Sequence, residues 1–175
     1  NFIAKNLIKE GIKLEEIVVI KDNKKTIIDR VLNYSSKYSY VFTTGGIGPT
    51  HDDITSESIS EAFNLKYVIN EDAFNILEKY YPKGEFNESR QRMAKMPNGS
   101  ELLLNPMTAA PGFRIKNVYV LPGVPEIMQI MFLELIKKIK KGKPKLVITI
   151  NTDLYESKIA IYLKEIQGKY KNSSI

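Results

Sequence analysis

The segment Thr44-Gly45-Gly46-Ile47-Gly48-Pro49-Thr50-His51-Asp52-Asp53-Ile54-Thr55 carries the densest chemistry in the chain. Its three glycines leave main-chain N–H groups uncovered, so the backbone can approach an anion closely. A helix is expected to follow, capped by Asp53 or Thr55, and its positive end adds to the attraction. Phosphate is the natural guest of such a turn. The adjacent carboxylates Asp52 and Asp53 would repel a bare phosphate, and a hard cation such as Mg²⁺ resolves the conflict by bridging both. A cation held there would also polarise a phosphoryl group. The plainer reading gives Asp53 or Thr55 the capping role alone and leaves Asp52 to solvent. His51 reads as a hydrogen-bonding turn residue rather than a base. The turn is neither a Walker loop, since no Gly-Lys-Ser/Thr follows, nor a Gly-x-Gly-x-x-Gly dinucleotide fingerprint.

Elements on both sides must position this turn. Phe2, Ile3, Leu7, Ile8 and Ile12 recur at helical spacing and Gly11 marks a stop. The apolar run Ile17-Val18-Val19-Ile20 predicts a strand buried on both faces. Asp22 or Asn23 can cap the next helix, whose stripe is Ile27, Ile28, Val31 and Leu32. Tyr40-Val41-Phe42 predicts the strand that delivers the glycine turn. Residues 71–97 read as a small helical excursion, interrupted at Pro82 to Gly84 and without strand patterning. Short extended segments follow at Glu101 to Leu104 and Phe113 to Ile115, then a strong strand at Val118 to Leu121. Pro122-Gly123-Val124-Pro125 opens a helix from Glu126 to about Lys141, in which Glu126 complements the dipole. A strand over Lys145 to Ile150 and an amphipathic helix over 156–170 complete the pattern. Buried strands alternating with helices predict an α/β domain with a mostly parallel sheet, and ligands at the carboxyl ends of its strands.

Composition narrows the function. The 175 residues, 43% hydrophobic and 26% charged, suit one globular domain. The absence of cysteine excludes a disulfide framework, a zinc-thiolate site and a thiol nucleophile, and the single histidine excludes a multi-histidine metal cage. A net charge of +6 raises the question of nucleic acid, but only Arg30, Arg90, Arg92 and Arg114 among 26 basic residues are arginine. The densest basic run, Lys137 to Lys145, closes an apolar helix where cations belong. Nucleic acid is therefore not expected as a partner. No apolar run reaches the roughly 18–20 residues of a membrane span, and no secretory signal is present, so a soluble cytoplasmic protein is expected.

The segment Thr43 to Thr55 resembles the signature of the molybdopterin-binding (MoaB/Mog-like) domain superfamily. The nearest variants are the N-terminal domain of CinA-type competence/damage-inducible proteins and the related domain of eukaryotic FAD synthases. Arg90-x-Arg92-Met93-Ala94-x-x-Pro97, Leu104-Asn105-Pro106, Ala110-Pro111-Gly112 and Leu121-Pro122-Gly123-Val124-Pro125-Glu126 follow in the order and spacing of that group.

The resemblance implies a three-layer α/β/α sandwich with a pocket at the strand ends, assembled as a homo-oligomer (dimer or trimer). It implies a nucleotide or molybdopterin phosphate as ligand and chemistry at a pyrophosphate with a divalent metal, Mg²⁺ being the expected ion. ADP-ribose or an FAD-like dinucleotide is the expected substrate. Adenylyl transfer to molybdopterin and binding without catalysis are the alternatives. Carried over by motif, Thr44, Gly45, Gly46, Gly48, Pro49, Thr50, Asn105, Pro122 and Gly123 would surround the ligand. Asp53 matches the functional aspartate, with Asp52 as its partner on the metal. Asp22 sits like a second functional aspartate, with a plain N-cap as its other reading. Of the two arginines, one would salt-bridge Glu85 or Glu88 and the other would clamp phosphate, Arg90 being favoured.

The chain departs from the pattern in two places. The first strand of the family, ending in Gly-Asp-Glu, would precede Asn1, and a fragment of a longer sequence is expected. Thr108 stands where CinA-type sequences place glycine after Asn-Pro-Met. The deamidase domain of CinA-type proteins does not fall within these residues.

Overall fold

The computed structural model describes residues 1–144 and 148–171, which form two compact units, 1–144 and 145–175. In the first unit a four-stranded sheet runs in the order β1-β6-β5-β4, with β1 at Val41–Thr44, β4 at Glu101–Leu103, β5 at Gly112–Ile115 and β6 at Val118–Leu121. β1 lies parallel to β6, whereas β5 is antiparallel to both β6 and β4. The sheet is thus mixed, not mostly parallel as expected. The cause is connection length: Lys116 and Asn117 alone join β5 to β6, and so short a link permits only a hairpin.

The side chains of β6 alternate between the two faces of the sheet and so define two cores. Val118 and Val120 join Val41 and Phe113 against Ile27 and Val31 of α2 (Lys24–Lys37) and Ile59 of α3 (Thr55–Ala62). Tyr119 and Leu121 face the other way, against Leu7 of α1 (Phe2–Lys9) and Met131, Phe132, Leu135 and Ile136 of α6 (Pro125–Ile136). Helices on both faces make the three-layer α/β/α sandwich expected of this sequence. On the second face Tyr40, Phe42, Tyr119 and Phe132 form a connected aromatic ladder.

Asn117 couples the layers. Its Nδ2 donates to the carbonyls of Ser35 (2.9 Å) and Tyr38 (2.7 Å), and its Oδ1 accepts from Ser35 Oγ at 2.6 Å. Its carbonyl accepts from Val41 N–H at 2.9 Å. One side chain thus pins the end of α2 to the start of β6, while its own backbone starts β1.

Two expectations need correction. Ile17 to Ile20 form no strand, and Val19 is 96% exposed. A strand needs a hydrogen-bonding neighbour, and β6 is the only one β1 has among the described residues. The segment and the free edge of β1 instead border one cavity of about 1030 Å³, also lined by Phe2, Ile3, Leu7, Ile27, Val31 and Met128. The excursion over 71–97 also contains more than helix. α4 (Glu71–Tyr80) and α5 (Glu88–Gln91) are followed by a 3-10 turn over Arg92–Ala94. A strand β3 (Lys95–Pro97) then pairs antiparallel with β2 (Tyr67–Ile69). Three-residue strands are too short to show alternation.

In the second unit α7 spans Glu156–Lys169, as the periodicity predicts. Of the strand expected over Lys145 to Ile150, residues 145–147 lie outside the described residues, and Ile148 to Ile150 are exposed and not in a strand. No helix among the described residues is long and apolar enough to cross a membrane.

Candidate functional site

The glycine turn begins where β1 runs out of partner. Gly45 N–H still donates to Leu121 O (3.0 Å), after which Gly45 and Gly46 turn the chain with φ of +93° and +70°. Only glycine takes two successive residues of this kind without strain. A Cβ on Gly46 would overlap Thr55 Oγ1, the first side chain of α3, and Thr55 N–H donates to Gly46 O at 2.9 Å. The turn is therefore clamped onto the N-terminus of α3, whose free N–H groups and dipole favour an anion. Gly123 comes from the opposite side. A Cβ there would lie 3.1 Å from Gly45 Cα, so the β6–α6 loop approaches the β1–α3 loop backbone to backbone. α6 starts immediately after, with Pro125 at its first position and Glu126 in its first turn.

Asp53 does not cap α3. The cap position belongs to Ile54, and neither Asp53 nor Thr55 supplies a capping bond. Asp53 Oδ2 instead accepts from Thr50 N–H (2.9 Å) and Thr50 Oγ1 (2.6 Å), folding the carboxylate back over Gly48. A Cβ on Gly48 would lie 2.6 Å from that oxygen, so any larger residue there must displace the Asp53 carboxylate. Asp53 Oδ1 has no hydrogen-bond donor among the described residues. Asp52 is exposed, and its polar surroundings, the Thr50 side chain first, then its own backbone N–H and His51, hold its carboxyl below the usual aspartate range, although the Thr50 hydroxyl proton itself is donated to Asp53. Asp52 is an anion across the physiological range.

Asp22 is freed by its neighbour. Asn23, not Asp22, caps α2, its Oδ1 accepting from Thr26 N–H at 3.0 Å. Asp22 then borders the same cavity as Thr44, Gly45, Gly46 and Thr55. Lys24 secures this corner by pairing with Glu57 (3.0 Å) and Glu61 (2.7 Å) of α3.

The structure thus brings Thr44, Gly45, Gly46 and Gly123 together at one turn, with Gly48, Pro49, Thr50, Asp52 and Asp53 forming its outer loop and Pro122 leading into Gly123, while Asp22 shares only the long cavity that Thr44, Gly45 and Gly46 also line. Two residues expected at the ligand have other partners. Asn105 is buried and spends its amide on its own turn, donating to Thr108 Oγ1 (2.6 Å) and Ala110 O (3.0 Å) and accepting from Met107 and Thr108 N–H. Thr108, the departure from glycine, is used by that turn. Arg90 donates to Glu85 through both its carbonyl (2.7 Å) and its carboxylate (2.9 Å), and stacks 4.2 Å over the Tyr81 ring. It holds α5 to the end of α4.

Fitness for a divalent metal follows from the donor set. No group of three or more His, Cys, Asp or Glu converges among the described residues. A closed protein cage is not built here. Mg²⁺, however, takes one or two carboxylates and completes its shell with water and substrate phosphate. The open Oδ1 of Asp53 and the exposed carboxylate of Asp52 are donors of that kind.

Comparison with known proteins gives consistent matches. The family described as "Probable molybdopterin binding domain" matches residues 1–141. A protein of Archaeoglobus fulgidus is 38% identical over 142 residues, covering 81% of this chain and 61% of its own length. A CinA-like protein of Sulfurihydrogenibium is 35% identical over 152 residues, covering 82% of this chain and 38% of its own. The chain therefore spans about three-fifths and two-fifths of these two relatives. Among solved structures, that of the protein CinA with unknown function from Thermoplasma acidophilum superposes with a TM-score of 0.72 at 30% identity, covering 78% of this chain and 83% of that one.

Proposed function

We propose that this chain, which belongs to the molybdopterin-binding domain family, seats a nucleotide or pterin diphosphate on the Gly45–Gly48 turn and hydrolyses its phosphoanhydride. The observation that carries the reading is the clamping of two left-handed glycines onto the N-terminus of α3, with Asp22 on the same cavity and the Asp52–Asp53 pair beside it. The exposed amides of the turn and the positive end of α3 orient one phosphate and offset its charge. Thr50 fixes the rotamer of Asp53 through two hydrogen bonds, so Oδ1 is held in place without reorganisation. At Asp52 and Asp53, Mg²⁺ would supply charge neutralisation and polarisation of the phosphoryl group. Asp22, exposed and uncapped, is the carboxylate available to orient an attacking water.

The test is hydrolysis of ADP-ribose and of FAD with Mg²⁺ by the wild type and by Asp53→Asn. The reading expects a loss of at least tenfold in the variant. Equal rates would remove Asp53 from the chemistry, and tight nucleotide binding without turnover would reduce the domain to a binding module. A second reading starts from the family description, which names molybdopterin binding, and adds adenylyl transfer to the bound pterin. It predicts consumption of ATP that depends on the pterin, and hydrolysis of ADP-ribose alone would count against it.

A further inference from the structure

Thr50 and Asp53 stand three residues apart in the outer loop, a spacing at which side chain and backbone of one turn can bond each other. Asp53 N–H donates to Thr50 O at 3.3 Å and closes the turn. Thr50 returns two donors to a single atom, Asp53 Oδ2: its N–H at 2.9 Å and its hydroxyl at 2.6 Å. A carboxylate oxygen has two lone pairs, so Oδ2 is filled. Its remaining side is shut by the Gly48 backbone, on which a Cβ would lie 2.6 Å from the same oxygen. Oδ1 receives no donor among the described residues. One oxygen of this carboxylate is consumed and the other is offered.

That asymmetry decides how Asp53 meets a cation. Ca²⁺ gathers six to eight oxygens at about 2.3–2.6 Å and accepts a carboxylate through both of its oxygens. Mg²⁺ demands a near-ideal octahedron at about 2.0–2.1 Å, which the narrow bite of a chelating carboxylate distorts, and it keeps several waters. Asp53 can give one oxygen only. Its surroundings do not make up a calcium shell, because no three His, Cys, Asp or Glu side chains converge among the described residues.

Resting on the metal-dependent reading above, we propose that Thr50 is a positioning residue that makes Asp53 a one-oxygen ligand and thereby sets the preference of the site for Mg²⁺ over Ca²⁺. Without the hydroxyl, Oδ2 regains a free lone pair and the carboxylate can turn. Contact through both oxygens then opens to the larger ion. The acids alone do not discriminate; the bonds that restrain one of them do.

The experiment reads ion binding without turnover. Mn²⁺, which shares the octahedral oxygen preference of Mg²⁺, is titrated into the chain, and the free ion is followed by electron paramagnetic resonance. The bound ion is then displaced by Mg²⁺ or by Ca²⁺. The preference is the ratio of Ca²⁺ to Mg²⁺ needed for half displacement. In the wild type that ratio is expected to be at least ten. Thr50→Val should lower it at least threefold, and Thr50→Ser, which keeps both donors, should stay within twofold of the wild type. Asp53→Asn should bind Mn²⁺ at least tenfold more weakly. A residue that merely shaped the loop would weaken both ions alike and leave the ratio unchanged. An unchanged ratio in Thr50→Val, or a wild-type ratio near one, overturns the role of Thr50 while leaving a metal at Asp53. Equal Mn²⁺ binding by wild type and Asp53→Asn, or none by the wild type, overturns the metal reading and this proposal with it. Thr50 is exposed, so its replacement leaves the core untouched. Should Thr50→Val nevertheless melt well below the wild type, Thr50→Ala decides by the same ratio.

Discussion

Gly46 bears two constraints at once, a left-handed backbone and a void filled by Thr55 Oγ1. Gly46→Ala must therefore strain φ and displace the first residue of α3. A cost of about 1–3 kcal/mol is expected, seen as a fall in melting temperature of about 2–4 °C for each kcal/mol. Nucleotide binding should be lost even at temperatures where the variant stays folded. Gly99, also at positive φ but with open space around it, separates the causes. Gly99→Ala should lower the melting point through backbone strain alone and leave binding intact. Glu16 offers a pH test. Its carboxylate accepts from the hydroxyls of Tyr34 (2.8 Å) and Tyr38 (3.1 Å), and these bonds hold it below the ordinary glutamate range. A carboxyl depressed in the folded state contributes fully above its unfolded value, and that contribution is lost as pH falls through the folded one. The melting temperature should therefore fall as the pH drops through that window, and Glu16→Gln should lack that step.

Among the elements, those whose sequence carries its own ending were readable. α4 spans Glu71–Tyr80 within the stretch read as helical, with Asn70 as cap, and α7 lies within the amphipathic stretch over 156–170. Elements that depend on a neighbour were not. Ile17-Val18-Val19-Ile20 has the composition of a central strand, yet a strand is defined by its partner, and no local signal reports whether one is adjacent. The pairing of β2 with β3 failed for the opposite reason, since its partners lie far apart in sequence and are too brief to show a period. The candidate site divides in the same way. Gly45, Gly46, Gly48 and Asp53 announce themselves by type and spacing. That Asn23 would take the cap and leave Asp22 free, or that Arg90 would turn to Glu85, depends on which of two adjacent or near-adjacent residues wins a partner. Asn117 gave no signal at all, because an asparagine in a two-residue hairpin link is ordinary turn chemistry. Its three side-chain hydrogen bonds join α2 to the sheet. Asn117→Ala would leave the Ser35 and Tyr38 carbonyls without their donor, so a loss of about 2 kcal/mol in denaturant unfolding is expected. Ser35→Ala, which removes one bond, should cost less than half of that.

At the scale of the molecule, the mixed sheet places the glycine turn of β1 and the Pro122-Gly123 turn of β6 at the same end, because these are its one parallel pair. Each turn then launches a helix, α3 to one face and α6 to the other, so the site sits where the layers diverge. Among the described residues the second edge of β1 borders the long cavity that Asp22 also lines, and Thr43 Oγ1 is buried there without a bonded partner. A hydroxyl shut away from water with nothing to bond weakens the fold, so Thr43→Val, close to it in shape, should hold or raise the melting temperature.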